Sequence, residues 1–164
     1  MMRRHARVLA WCLAALAAGC GYSARPMTRA DVRTVYVPVF ENRTFRHGLE
    51  FDLTRAVVDK INQKSQLKIA EKDAADTILT GEITEVRQRE SVRNEPLKPE
   101  EVRVVLYANV TWTDRRTHQV LMKRQNMQSS AEFVISRRQD FTSAAQEAMS
   151  DLAEKIVNLM EEEW

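Results

Sequence analysis

From Val102 to Trp112 the chain alternates without a break: Val102, Val104, Leu106, Ala108, Val110 and Trp112 share one parity, and Arg103, Tyr107, Asn109 and Thr111 the other. Successive side chains of a strand point to opposite faces, so this segment specifies a β-strand with one core face and one wetter face. Asp114-Arg115-Arg116-Thr117-His118 then reads as a hairpin loop, and Val120 to Phe133 as the returning strand, its alternation weakening after Lys123. The pairing is expected; the pattern does not fix its register.

Val32 to Phe40 alternates too, with Val35, Val37 and Val39 opposed to Thr34, Tyr36 and Pro38. Pro38 has no ladder donor, which places this strand or its end at a sheet edge or a bulge. Glu41-Asn42-Arg43-Thr44 is a turn cluster. Beyond Gly48, Leu49, Leu53, Ala56, Val57 and Ile61 recur at three and four, predicting an amphipathic helix to about Lys64. Ala75 to Arg87 reads as a strand in which Gly81 marks a bulge or a close approach. Glu90 to Glu101, with Pro96 and Pro99 and no period, predicts a long excursion between strands. Ser136 and Gln139 have capping-box spacing, and Phe141, Ala145, Ala148, Leu152, Ile156 and Leu159 form one helical stripe. Glu161-Glu162-Glu163 sits badly for the helix dipole, so that end is expected to fray. The order β-α-β-β-β-α predicts an α+β domain. Its expected form is a two-layer sandwich of a four-stranded, mostly antiparallel sheet with two helices on one face.

The amino end has a different composition. Arg3, Arg4 and Arg7 precede an apolar run from Val8 to Ala18, too short to span a bilayer, that ends in Leu16-Ala17-Ala18-Gly19-Cys20. This reads as a lipoprotein signal peptide over residues 1–19, with Cys20 the acylation site, a tether over 20–31 and a single domain over 32–164. Ala17 stands where such signals usually carry Leu, with Leu16 one step earlier. Two or more acyl chains on Cys20 hold firmly where one holds marginally, since each buried methylene contributes about 0.8 kcal/mol. Gly21 in place of Asp, as in Gram-negative lipoproteins that are not retained at the inner membrane, implies outer-membrane sorting. Cleavage removes Cys12 and three of the 25 basic residues, leaving 22 against 23 acidic ones and a net charge of −1. The basic excess of the full chain thus owes much to the leader, and nothing global points to nucleic acid. No disulfide is expected once Cys20 is acylated. His47 and His118 have no metal-ligand spacing to each other, so neither a metal nor a cofactor is expected.

Catalysis has little support. There is no glycine-rich phosphate loop and no nucleophile elbow, and Asp73 with Asp76, the available carboxylate pair, sits at a loop or strand entrance. Trp112, Met149 and Met160 read as packing residues, and Asn42-Arg43-Thr44 as a turn despite its glycosylation pattern.

The lead from Leu16 to Tyr22 resembles the lipopolysaccharide-assembly lipoprotein (LptE) family, as do Val35 to Thr44, Leu53-Thr54-Arg55-Ala56 and Ala75 to Ile83. With the closing helix, the similarity spans nearly all of the chain after Cys20. It implies two helices on a small sheet, lipid attachment at the outer membrane facing the periplasm, and a large β-barrel partner, LptD-like, whose lumen the domain plugs. It also implies assistance in the assembly of that barrel and binding of lipopolysaccharide. Lipid A phosphates call for Arg and Lys. Arg115, Arg116, Lys123 and Arg124 are the favoured candidates, because the hairpin can bring them to one end; Arg87 with Arg89 and Arg93, and Arg137 with Arg138, are further clusters. The alternative is another envelope lipoprotein, such as a peptidoglycan-synthase activator or a secretion-pore component.

Overall fold

The computed structural model describes residues 32–90, 101–134 and 140–162. Cys20, the leader, the tether, the body of the Pro96/Pro99 excursion, the Ser136/Gln139 pair, Arg93, Arg137 and Arg138 lie outside the described residues. The elements are β1 (Thr34–Tyr36), β2 (Glu41–Asn42), α1 (Leu49–Lys64), β3 (Lys68–Ile69), β4 (Thr77–Glu90), β5 (Glu101–Asp114), β6 (Val120–Val134) and α2 (Phe141–Glu162).

These strands form one sheet in the order β3-β1-β4-β5-β6, with β2 also on β4. β4, β5 and β6 are antiparallel along nearly their whole lengths, as the alternation implies. β1 and β2 lie parallel to β4, because α1 intervenes and returns the chain to the starting end. The sheet is therefore mixed and has more strands than the four expected. One addition is β3, two exposed residues with no pattern to read. The other is β2, produced where the first strand breaks between Tyr36 and Glu41 around Pro38 and resumes on β4.

The strand irregularities have local causes. Gly81 is not a bulge: a Cβ there would lie 2.3 Å from Cε2 of the buried Phe40 ring, so it marks a close approach. The β4 bulge falls between Ile83 and Glu85. In β6 the register slips opposite Asn109, where Asn126 adopts φ 55° and donates its N–H to Asn109 Oδ1 at 2.9 Å. That bulge is why the alternation fades after Lys123.

Both helices cover one face of the sheet. Leu49, Leu53, Val57 and Ile61 of α1 and Ala145, Ala148, Leu152 and Ile156 of α2 bury against Val35, Leu79, Ile83, the even-numbered residues of β5 up to Trp112, and Phe133. Met149 and Met160 are buried in the same core. Lys60 and Lys64 of α1 reach Glu154 of α2 at 3.0 and 2.5 Å. The cap of α2 lies at Asp140, whose Oδ1 accepts the Ser143 N–H at 3.0 Å.

Candidate functional site

The end of the sheet where the chain enters at Val32 is built around two carboxylates. Asp76 Oδ2 accepts the backbone N–H groups of Arg33 and Thr34, each at 3.0 Å, and the Thr34 hydroxyl at 2.8 Å. Burial opposes its ionisation, but those hydrogen bonds prevail and hold the carboxyl below its ordinary range. It is a clamp between β1 and β4, its Oδ2 held by two backbone N–H groups and one hydroxyl of the entering strand. Asp114, 2% exposed, accepts the Arg116 and Thr117 N–H groups and the Thr117 hydroxyl through Oδ1. Here too burial pushes the carboxyl up and the Thr117 and Arg116 donors outweigh it, so it is held low.

This turn positions the predicted basic residues differently. Arg115 is half-buried and engaged, its Nε donating to the Ala75 carbonyl at 2.7 Å and its N–H to that of Asp76 at 2.9 Å. Arg116 is exposed at the tip. Lys123 pairs with Thr111 and shares the free face of the sheet, whereas Arg124 pairs with Val110 and so lies on the helix-covered side, half-buried. The hairpin gathers all four at one end of the sheet but sends neighbours to opposite faces.

Beside the middle of β4, where β2 pairs with Glu82 and Ile83, the chain is ordered by Asn42. Its Nδ2 donates to the Arg46 carbonyl and to Glu50 Oε2, each at 2.7 Å, while its Oδ1 accepts the Thr44 N–H and hydroxyl. The Asn-Arg-Thr triplet is thus a turn that leads into α1 through Gly48, at φ 96°.

Among the described residues, no helix covers the second face of β4, β5 and β6. It carries charged and polar pairs: Arg43 with Glu82, Asn109 with Glu82, Arg87 with Glu85 and over the Tyr107 ring, and Arg103 with Glu132. Sequence patterning marks β5's share of this face as wet. It misses Glu132 and Lys155, which complete the surface from other elements and have no periodic signal of their own. Among the described residues no cluster of His, Cys, Asp and Glu is arranged to hold a metal, and no helix is long and apolar enough to cross a membrane.

Fold and surface define a small α+β body with one helix-covered face and, among the described residues, one polar face that no helix covers. The family model described as lipopolysaccharide-assembly, LptE, matches residues 32–160, and the chain belongs to that family. Among curated proteins none matches it. Solved structures are similar to it. A protein from Xanthomonas campestris superposes with TM-score 0.52 at 12% identity, covering 79% of this chain and 83% of its own. A hypothetical protein from Chlamydia trachomatis gives 0.50 at 13%, covering 79% and 96%. A minor lipoprotein from Acinetobacter baumannii gives 0.48 at 11%, covering 79% and 92%.

Proposed function

We propose that this chain is a non-enzymatic outer-membrane lipoprotein, cut before Cys20 and acylated there. In this reading it partners and plugs a large β-barrel translocon, assists its assembly, and helps lipopolysaccharide reach the outer membrane. The family match over residues 32–160 carries the reading. The free face of β4, β5 and β6 supports it, since charged, amide and hydroxyl side chains suit the wet polar lumen of a barrel better than lipid or a protein core. We further propose that the hairpin cations, with Arg116 and Lys123 the exposed members, meet lipid-borne phosphate.

Palmitate labelling and membrane fractionation test the anchor: label enters the wild type in the outer membrane and is lost in Cys20→Ala. Gentle crosslinking followed by purification tests the partner, and a large barrel is expected in the product. A protein recovered alone, or an unlabelled wild type, overturns the corresponding half of the reading. Reversing the charge of Arg116 and Lys123 is expected to weaken lipopolysaccharide binding most at low salt, and unchanged binding removes them.

A further inference from the structure

β6 ends the sheet: it pairs with β5 on one side, and among the described residues no strand pairs with its other side. The register fixes which of its backbone groups face outward. The Tyr107 carbonyl of β5 turns toward β4, where it accepts the Thr84 hydroxyl at 3.3 Å, so Gln128, directly opposite Tyr107, turns its own N–H and carbonyl away from β5. That carbonyl meets Lys155 Nζ of α2 at 3.0 Å. By the same parity Ser130 and Glu132, opposite Val105 and Arg103, turn their N–H and carbonyl groups outward, and all three residues are exposed. Long edges are ordinarily blunted by bulges, Lys or Pro. Here the bulge at Asn126 interrupts the edge on one side, and Lys155 shields the first carbonyl beyond it. From there to Glu132 the strand is regular and contains neither Pro nor Lys.

We propose that this edge pairs with a second copy of the chain, β6 running antiparallel to β6 about a two-fold axis at Ser130. A row of outward N–H and carbonyl groups accepts an added strand, and two-fold pairing sets the same patch on both sides. The side chains choose the register. About Ser130, the two serines meet and Gln128 opposes Glu132 of the second copy, an amide against a carboxylate, on each side of the axis. The three opposed pairs exchange about six backbone hydrogen bonds, two for each pair. Lys155, released from the Gln128 carbonyl, then lies beside Glu132 of the second copy. The contacts of Glu132 with its own Arg103 use Oε1, which leaves Oε2 for that ammonium. On the covered face the buried, small Ser129 and Ala131 oppose each other, so no bulky side chain stands at the join. Other registers fit worse. Centring on Gln128 or Ser129 brings the Asn126 bulge into the pairing, and centring on Glu132 opposes two carboxylates directly. Centring on Ala131 sets Gln128 and its Lys155 against Val134, with no carboxylate to meet. So short a strand contact is small, and the pairing therefore follows concentration. It concerns the chain alone and does not rest on the transport reading.

The test uses the whole chain from residue 20 onward with Cys20→Ala, which leaves no thiol and no acylation site. Sedimentation velocity over a wide range of concentration is expected to show a monomer passing to a dimer. Ser130→Pro removes an outward N–H and no ladder bond to β5, so it should keep the wild-type melting temperature and weaken association roughly tenfold, the loss of hydrogen bonds across the axis. Glu132→Gln, an exposed change that removes the carboxylate opposite Lys155, should weaken association at low salt and less at high salt. With Ser130→Cys a short bismaleimide should join two chains, whereas Thr117→Cys in the hairpin gives no such product. A monomer at every concentration overturns the proposal. So does a dimer that Ser130→Pro and Glu132→Gln leave intact, or one that crosslinks as well through Thr117→Cys as through Ser130→Cys. If the chain stays monomeric and Ser130→Pro abolishes its crosslink to a barrel, the edge belongs to that partner and self-pairing is overturned.

Discussion

Asp76, Leu79 and Gly81 show how a short sequence pattern becomes three different physical constraints. The carboxylate of Asp76 satisfies two N–H groups and a hydroxyl of the entering strand, Leu79 is fully buried, and Gly81 leaves room for the Phe40 ring. Replacing Asp76 with Ala strands those donors and should lower stability by about 1–3 kcal/mol in denaturant unfolding; a smaller loss would mean that water satisfies them. Gly81→Ala drives a methyl into a ring that is 3% exposed, with an expected cost of about 1–3 kcal/mol. Phe40→Leu in the Gly81→Ala background should recover part of that loss. If the double variant is simply the sum of the two single ones, the ring is not the obstacle. The sequence marks Gly81 as special but not why, because the atom it makes way for comes from the other side of α1.

At the scale of elements, the two helices are held together at their polar rim as well as their apolar seam. Lys64 and Lys60 hydrogen-bond to Glu154 and lower its carboxyl to about 2. A group depressed in the folded state stabilises it above the ordinary carboxylate range and loses that contribution as pH falls toward the folded value. Melting temperatures of wild type and Glu154→Gln at low ionic strength should therefore differ at pH 5 and converge as pH approaches 2. The difference should be small and salt-sensitive, because the Glu154 side chain is 38% exposed. Curves that stay parallel across this range would assign the effect to packing. α1 was legible from its three-and-four spacing and β5 from its alternation, since each buries one continuous stripe. β2 and β3 were not legible, because two residues held by backbone pairing leave no side-chain period.

For the whole molecule, β5 is the axis: it pairs on both edges, and its buried face meets the helix layer. Hydrogen exchange should be slowest in β5 and in the middle of α2 and fastest in β3, which is short and exposed. Comparable protection in β3 and β5 would contradict a sheet organised in this way. The apolar spacings of this chain determined its strands other than β2 and β3, its helices and the two-layer arrangement, because burying one stripe or one face leaves few alternatives. Only the tertiary structure decided the parallel entry of β1 and β2 and the roles of Asp76 and Asp114. It alone placed Arg115 against a carbonyl, separated Lys123 from Arg124, and turned the backbone of Ser130 and Glu132 outward at the edge of β6. These depend on strand register and on residues far apart in the chain, and a local hydrophobic period encodes neither.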